Sequence, residues 1–272
     1  MAKRRSTAQP SPNRPGPSAR RGRPAASTRQ VSNQLLAALH PDDYARLAPT
    51  LDVVSLPVKR LLHKPDEAIT DVYFPCDGFC SVLTVLEDGG MVEVVTIGRE
   101  GMIGLSALFE GGPSPSLAMV QADMETCYRM RVSAFRREME RRGSFHNVVT
   151  RYAQALVGVI MQGTACNAIH SLEQRLARWF LTAHDRVATD VFPLTHEFVA
   201  MMLGAARPTV TVVAGTLQRA GLIRYRRGTV TIVDRDKLEA ASCECYRVAT
   251  SLLAGVVRHR DGSSTPRARG VT

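Results

Sequence analysis

No Asp or Glu occurs in the first 30 residues, no Cys precedes Cys76, and no Lys or Arg lies between Arg99 and Arg129. The acid-free leader holds eight basic residues (Lys3, Arg4, Arg5, Arg14, Arg20, Arg21, Arg23 and Arg29) and five prolines. Such a segment cannot bury enough apolar surface to offset its own ordering entropy, so residues 1–30 are predicted to be a disordered basic tail. A solvated tail is the favoured reading over a nonspecific nucleic-acid arm. Pro10, Pro12, Pro15, Pro17 and Pro24 break the amphipathic helix that an organellar transit peptide needs.

The six cysteines (Cys76, Cys80, Cys127, Cys166, Cys243 and Cys245) are scattered through a chain too long to need staples. Without an apolar N-terminal signal, this implies a reducing, cytoplasmic setting. The longest stretch free of Asp, Glu, Lys and Arg, residues 152–172, carries Gln154, Gln162, Thr164, Asn167 and His170. That pattern is a buried or partner-facing helix, and no membrane partner is expected. The formal charge is +10, from 35 Lys and Arg against 25 Asp and Glu. The tails at 1–30 and 258–272 hold +8 and +3, which leaves −1 for the body, so total charge does not identify a partner. At 44% hydrophobic, that body has real cores.

What is present changes character along the chain. Leu35, Leu36, Leu39, Tyr44 and Leu47 recur at roughly helical spacing around Pro41 and predict one or two short helical turns. Residues 53–58, 69–74, 79–86, 91–97, 117–122 and 126–130 are short β-prone runs separated by Gly, Pro, Asp and Ser. Glu87-Asp88-Gly89-Gly90 between two apolar runs reads as a hairpin turn. Strands at this spacing indicate a small antiparallel barrel or jelly roll. From residue 132 to about 187 helical spacing takes over. Phe145, Val148, Tyr152, Leu156, Val159 and Gly163 form a seam that needs cover, either from the same domain or from a second copy of the chain. Gly158 and Gly163 would permit close approach of another helix.

Residues 194–220 read as two helices with a tight break. Thr195 is an N-cap, Gly204 a left-handed terminator, and Pro208 sits in the first turn of the second helix, where a missing N–H costs nothing. Gly221 and the runs 222–225 and 229–233, joined at Arg226-Arg227-Gly228, make a hairpin. The whole is a winged helix-turn-helix. Five Arg and no acid lie between Arg207 and Arg227. Arg207, Thr209 and Thr211 on the second helix supply a guanidinium fork and short hydroxyls for base edges or phosphate. Thr195 is placed beside them at the DNA surface, while Arg224, Arg226 and Arg227 are assigned to the phosphate backbone.

From about residue 33 to 240 the chain resembles the Crp/Fnr family of bacterial transcription regulators, most specifically in residues 194–204 with Arg207, Thr209 and Val210, in 217–225, and in Ile103-Gly104 and Glu110-Gly111-Gly112. The resemblance implies an α+β chain with an N-terminal antiparallel β-roll (jelly-roll) sensor domain, a long dimerisation helix and a C-terminal winged helix-turn-helix domain. The expected boundaries are 1–30 for the tail, 31–143 for the roll, 144–169 for the dimerisation helix, 170–240 for the DNA-binding domain and 241–272 for a C-terminal helix and basic tail. The partners it implies are double-stranded DNA, a second copy of the chain through the 144–169 helix, and RNA polymerase.

Three departures from the family pattern matter. In cyclic-nucleotide members a Glu follows the roll's Gly and an Arg stands ten residues on, before a Ser; here, after Gly104, those positions are Leu105 and Pro115, followed by Ser116. A buried phosphate would have no local cation, so cyclic AMP is not expected, no cofactor is expected and the effector is unknown. The N-terminal cysteine cluster of oxygen-sensing members is missing. Cys243 and Cys245 read as part of one helix, pointing in different directions, with no third and fourth ligand, so no metal is assigned. In the recognition helix, Pro208 and Val212 stand where well-known members carry Glu and a second Arg, so the operator should differ.

The leading reading is therefore a dimeric, sequence-specific DNA-binding regulator. The alternatives are a ligand-binding or scaffold protein with a non-reading DNA domain, and a redox- or metal-responsive regulator using its cysteines. An enzyme is not expected: Gly104-Leu105-Ser106-Ala107-Leu108 lacks the second Gly of a nucleophile elbow, and neither a phosphate loop nor a His-Glu-x-x-His pair is present.

Overall fold

Asn33 opens the fold by serving two purposes at once. Its side-chain oxygen accepts from the amides of Leu35 and Leu36 and caps α1 (Gln34–Ala37). Its amide donates to the carbonyls of Pro75 and Gly101 at 2.8 and 2.9 Å, pinning the helix to the sheet domain. The computed structural model describes residues 32–109, 113–187 and 189–258, so the expectations for both basic tails lie outside the described residues. After α2 (Pro41–Leu47) the chain forms β1 (Asp52–Leu56), β2 (Leu61–His63), β3 (Asp71–Pro75), β4 (Phe79–Val85), β5 (Met91–Ile97), β6 (Leu117–Ala122) and β7 (Met124–Arg131).

These strands make two antiparallel sheets, ordered β1-β7-β3 and β2-β6-β4-β5. The β4–β5 hairpin turns where the glycine cluster placed it, with Gly89 at φ +82° and its amide donating to the Leu86 carbonyl. β2 escaped the sequence reading because it has three residues and a register shift against β6, too little for a period-two pattern to show.

Three helices follow, α3 (Val132–Glu140), α4 (Ser144–Ile169) and α5 (Leu172–His184). With 26 residues, α4 spans about 39 Å at 1.5 Å per residue. Its apolar seam is covered by its own chain, not by a partner. Phe145 packs edge-on against Phe135 at 5.6 Å and beside Phe74 at 6.3 Å. Val148, Tyr152 and Leu156 lie in the roll's core, and the Tyr152 hydroxyl donates to the Met102 carbonyl at 3.3 Å. A Cβ on Gly101 would stand 2.4 Å from that hydroxyl oxygen, so a glycine is needed there.

The second half of α4 is covered by α9 (Cys245–Arg258), which runs back along it with Cys245 beside Gln162 and Leu252 over Gly158. The close approach permitted by Gly158 is thus used within the chain. What α4 leaves exposed is a different stripe, including Gln154, Val157, Met161, Thr164 and Ala168. Spacing shows which face of a helix is apolar; it does not show what covers that face.

The C-terminal part contains β8 (Val191–Pro193), α6 (His196–Leu203), α7 (Arg207–Arg219), β9 (Ile223–Arg226), β10 (Thr229–Ile232) and α8 (Arg235–Ala241). β8 joins the wing as a third strand, in the order β8-β10-β9, and is also too short to have been read. Cys243 and Cys245 do not share a helix: Cys243 lies in the α8–α9 junction and Cys245 opens α9. The core built from Leu176, Phe180, Val199, Val210, Leu217 and Ile232 takes in Phe79 and Leu83 of β4, so the roll and the winged helix share one apolar interior.

Trp179 marks that junction. Its indole packs edge-on against Phe79 at 6.4 Å, and its N–H donates to Glu93 of β5 at 2.9 Å. Glu93 also accepts from the hydroxyls of Ser81 and Thr96. Desolvation pushes its carboxyl above the usual range, against the hydrogen bonds that favour its charged form.

Two predictions follow from this packing. Phe145→Ala should lower unfolding stability by about 3–5 kcal/mol at any protein concentration, as calorimetry or chemical denaturation would register. An effect confined to the dimer dissociation constant would instead place Phe145 at a subunit seam. Because the folded pKa of Glu93 is raised, its protonated form adds stability below the ordinary carboxylate range that fades as pH rises through the folded value. In thermal midpoints measured against pH, the difference between wild type and Glu93→Gln should shift in that direction; a pH-independent difference would contradict it.

Candidate nucleic-acid interface

The two helices of the reading head are fixed by local chemistry. The Thr195 hydroxyl accepts from the Phe198 amide at 3.2 Å and caps α6, and Gly204, at φ +58° and ψ +44°, ends it. The axis then turns by 105° into α7, with Pro208 in the first turn. Val210, Ala214 and Leu217 are buried beneath α7. Its outermost ridge is therefore the opposite one, through Pro208, Val212, Gly215 and Arg219, with Arg207 and Thr211 on one shoulder and Thr209 on the other.

Arg207 reaches solvent with 68% of its side chain exposed. Glu197, its ion-pair partner at 3.8 Å among the described residues, is itself 77% exposed and holds it only weakly. Thr209 is exposed as well. Thr211, though exposed, has a committed hydroxyl: it donates to the Arg207 carbonyl at 3.0 Å and lies 3.0 Å from His196 Nδ1. The His196 ring stacks on Tyr225 at 4.1 Å, and the Tyr225 hydroxyl donates to the Leu194 carbonyl. Burial, and then the charge of Arg207, hold the His196 imidazole below its usual range, so it is neutral near pH 7. Thr211 thus braces α7 against α6 and the wing, leaving only its methyl group free to face a base.

The wing closes through Arg227 and Gly228, both left-handed at φ +48° and +74°, between paired Arg226 and Thr229. Arg224 and Arg226 alternate along β9 on one face and, with Arg227, are exposed. Arg207, Thr209, Thr195 and the three wing arginines are all exposed, and Thr195 lies beside Gly228 at the wing turn. Sequence reading overlooked Arg219. Its spacing of four and seven residues from Gly215 and Val212 was the available signal, and it puts a second cation on the outer ridge of α7.

In the roll, Gly104 is left-handed at φ +94° and Leu105 begins a turn of tight helix that packs on the core. A Cβ on Gly104 would stand 2.8 Å from the His63 ring, whose Nε2 lies 2.9 Å from the Asp71 carbonyl. Burial lowers the His63 pKa, so that ring offers no charge to an anion. Pro115 is exposed, and Ser116 is tied to the Ser114 hydroxyl through its own backbone. These four positions present no cation and no carboxylate.

A β-roll joined by a long helix to a winged helix-turn-helix defines a DNA-binding regulator with a sensor domain. Residues 53–142 match the family model described as a cyclic nucleotide-binding domain, and residues 174–241 match that of the Crp-like helix-turn-helix domain, together more than half of the chain. The chain belongs to the Crp/Fnr family of transcription regulators. Among solved structures it resembles a Crp/Fnr-family regulator from Eubacterium rectale (TM-score 0.60, 19% identity, 76% of this chain and 96% of that one). Others are TTHB099 from Thermus thermophilus (0.58, 21%, 70% and 96%) and FixK2 from Bradyrhizobium japonicum (0.55, 16%, 71% and 98%). No curated protein matches. No single described helix is long and apolar enough to cross a membrane.

Arg207→Ala should cost about 1–3 kcal/mol on a selected site and little on random DNA. Arg227→Ala should weaken both alike and reduce the salt slope by about one. Anisotropy titrations at several salt concentrations read both, and equal losses on the two DNAs for Arg207→Ala would remove it as a base reader.

Proposed function

We propose that the protein is a non-enzymatic, cytoplasmic homodimer that reads two DNA half-sites through a pair of α7 helices, and that its roll answers to a signal other than a cyclic nucleotide. The observation that carries the reading is the run of five Arg without an acid from Arg207 to Arg227, exposed on α7 and the wing, in a folded body that is otherwise net acidic. Two-fold pairing would set the half-sites about one helical turn apart, in adjacent major grooves. Contact with RNA polymerase follows from the family's mode of action.

Dimerisation falls to the exposed stripe of α4, since its other faces are taken by the roll and α9. Val157 and Met161, 55% and 67% exposed, lie one turn apart on it, flanked by Gln154, Thr164 and Ala168. Met161→Glu should yield a folded monomer, with a cooperative thermal transition whose midpoint no longer depends on protein concentration, as sedimentation and calorimetry would report. A dimer that persists would move the seam elsewhere.

Against cyclic nucleotides stand Leu105 and Pro115 at the two anchor positions and the lack of any Lys or Arg from 100 to 128. An unpaired phosphate in such a site would bear its full desolvation cost. Selection of DNA from a random pool, with and without a metabolite mixture, tests operator and effector together; recovery of no enriched sequence under either condition contradicts the reading. Calorimetry with cyclic AMP and cyclic GMP should show no binding, and micromolar affinity would overturn that part.

A further inference from the structure

The six cysteines fall into two groups. Cys76, Cys80 and Cys127 are buried in the roll. The other three converge. Cys166 and His170 stand four residues apart at the C-terminal end of α4, on one face, and meet Cys243 from the α8–α9 junction and Cys245 from the start of α9. One ligand atom from each of the four lies within 4.8 Å of all the others. Cys166 Sγ is 3.5 Å from Cys243 Sγ, and Cys245 Sγ is 3.5 Å from His170 Nδ1.

Those separations suit one small ion. Zinc–sulfur bonds near 2.3 Å and zinc–nitrogen bonds near 2.0 Å in a tetrahedron imply edges of about 3.8 Å between sulfurs and about 3.5 Å from sulfur to nitrogen. We propose that Cys166, His170, Cys243 and Cys245 bind one Zn²⁺ in a closed, four-coordinate structural site.

The surroundings are those a zinc thiolate centre requires. His170 turns Nδ1 toward the thiols, and its Nε2 lies 3.2 Å from Glu244 Oε2, so the ring's proton sits on Nε2 and the Nδ1 lone pair faces the ion. The Gln162 amide donates to Cys245 Sγ at 3.1 Å, an outer hydrogen bond of the kind that orients a metal-bound sulfur. Three thiolates and Zn²⁺ sum to one negative charge. Two α5 guanidiniums lie within electrostatic reach of the thiols, and among the described residues Nε of each is buried without a hydrogen-bond partner: Arg178 acts on Cys166, and Arg175 on Cys166 and Cys243. A two-iron cluster would set its ligand pairs apart on different irons, whereas these four atoms surround a single point.

The ion would act as a clasp. Ser171, next to His170, caps α5 with a reciprocal capping box, so the same short segment leads from the long helix into the DNA-binding domain. Cys243 and Cys245 arrive from beyond the wing, 77 and 79 residues after Cys166. Zinc would therefore tie α4, the entry to α5 and the start of α9 at one point, holding the reading head at a set angle to the helix that carries the exposed stripe.

The test uses the full chain purified under reducing conditions. Elemental analysis should find about one zinc per chain retained through gel filtration. Exchange for Co²⁺ should give thiolate charge-transfer absorption and the intense visible bands of tetrahedral cobalt. Cys166→Ser with Cys243→Ser should abolish stoichiometric zinc, Cys76→Ser should keep it, and Glu244→Gln should weaken affinity by about 10–100-fold. If the double variant does not fold, zinc content and the cobalt spectrum of the wild type decide the matter. Metal-free protein with no cobalt spectrum, a Cys166–Cys243 disulfide, iron with acid-labile sulfide, or zinc retained in the double variant would each overturn the proposal.

Discussion

Everything in this molecule is hung on one helix. α4 gives the face carrying Phe145, Val148, Tyr152 and Leu156 to the roll and the face carrying Gly158, Gln162 and Cys166 to α9, and it keeps a third stripe exposed. A helix with its sides so divided cannot shift along one neighbour without disturbing the others, because close-packed interiors transmit displacement. Tyr152 shows how little slack there is: its hydroxyl fills the space a side chain at Gly101 would occupy.

The contacts between roll and reading head are of the same kind. Arg186, two residues past the end of α5, pairs with Glu100 at 2.5 Å, with side chains only 8% and 15% exposed. Removing either partner would leave the other charge in a poorly solvated site, which is costly. Together with Trp179 on Glu93 and the shared core at Phe79 and Leu83, this pair holds strand β5 and the turn after it against α5 and the residues that follow it.

How much of this was legible depended on how local the determining chemistry is. The helix-turn-helix and wing could be read because Thr195, Gly204, Pro208 and Gly228 each act within a few residues of their own position. The cover of α4 could not, since periodicity marks an apolar face without identifying what buries it; the Phe145–Leu156 seam read as a dimer contact turned out to be interior. The thiol cluster was hidden for the same reason. Its ligands are brought together by α9 folding back on α4 across more than 70 residues, and no spacing within Cys243-x-Cys245 announces that. Strands β2 and β8, three residues each, fall below the length at which alternation carries information.

The central claim, that paired α7 helices read DNA as a two-fold dimer, is tested most directly by hydroxyl-radical footprinting on a duplex recovered by selection. Two protected patches related by two-fold symmetry, centred about 10 base pairs apart and lost on dilution well below the dimer dissociation constant, are the expected result. A single asymmetric patch, or uniform weak protection along the duplex, would contradict it.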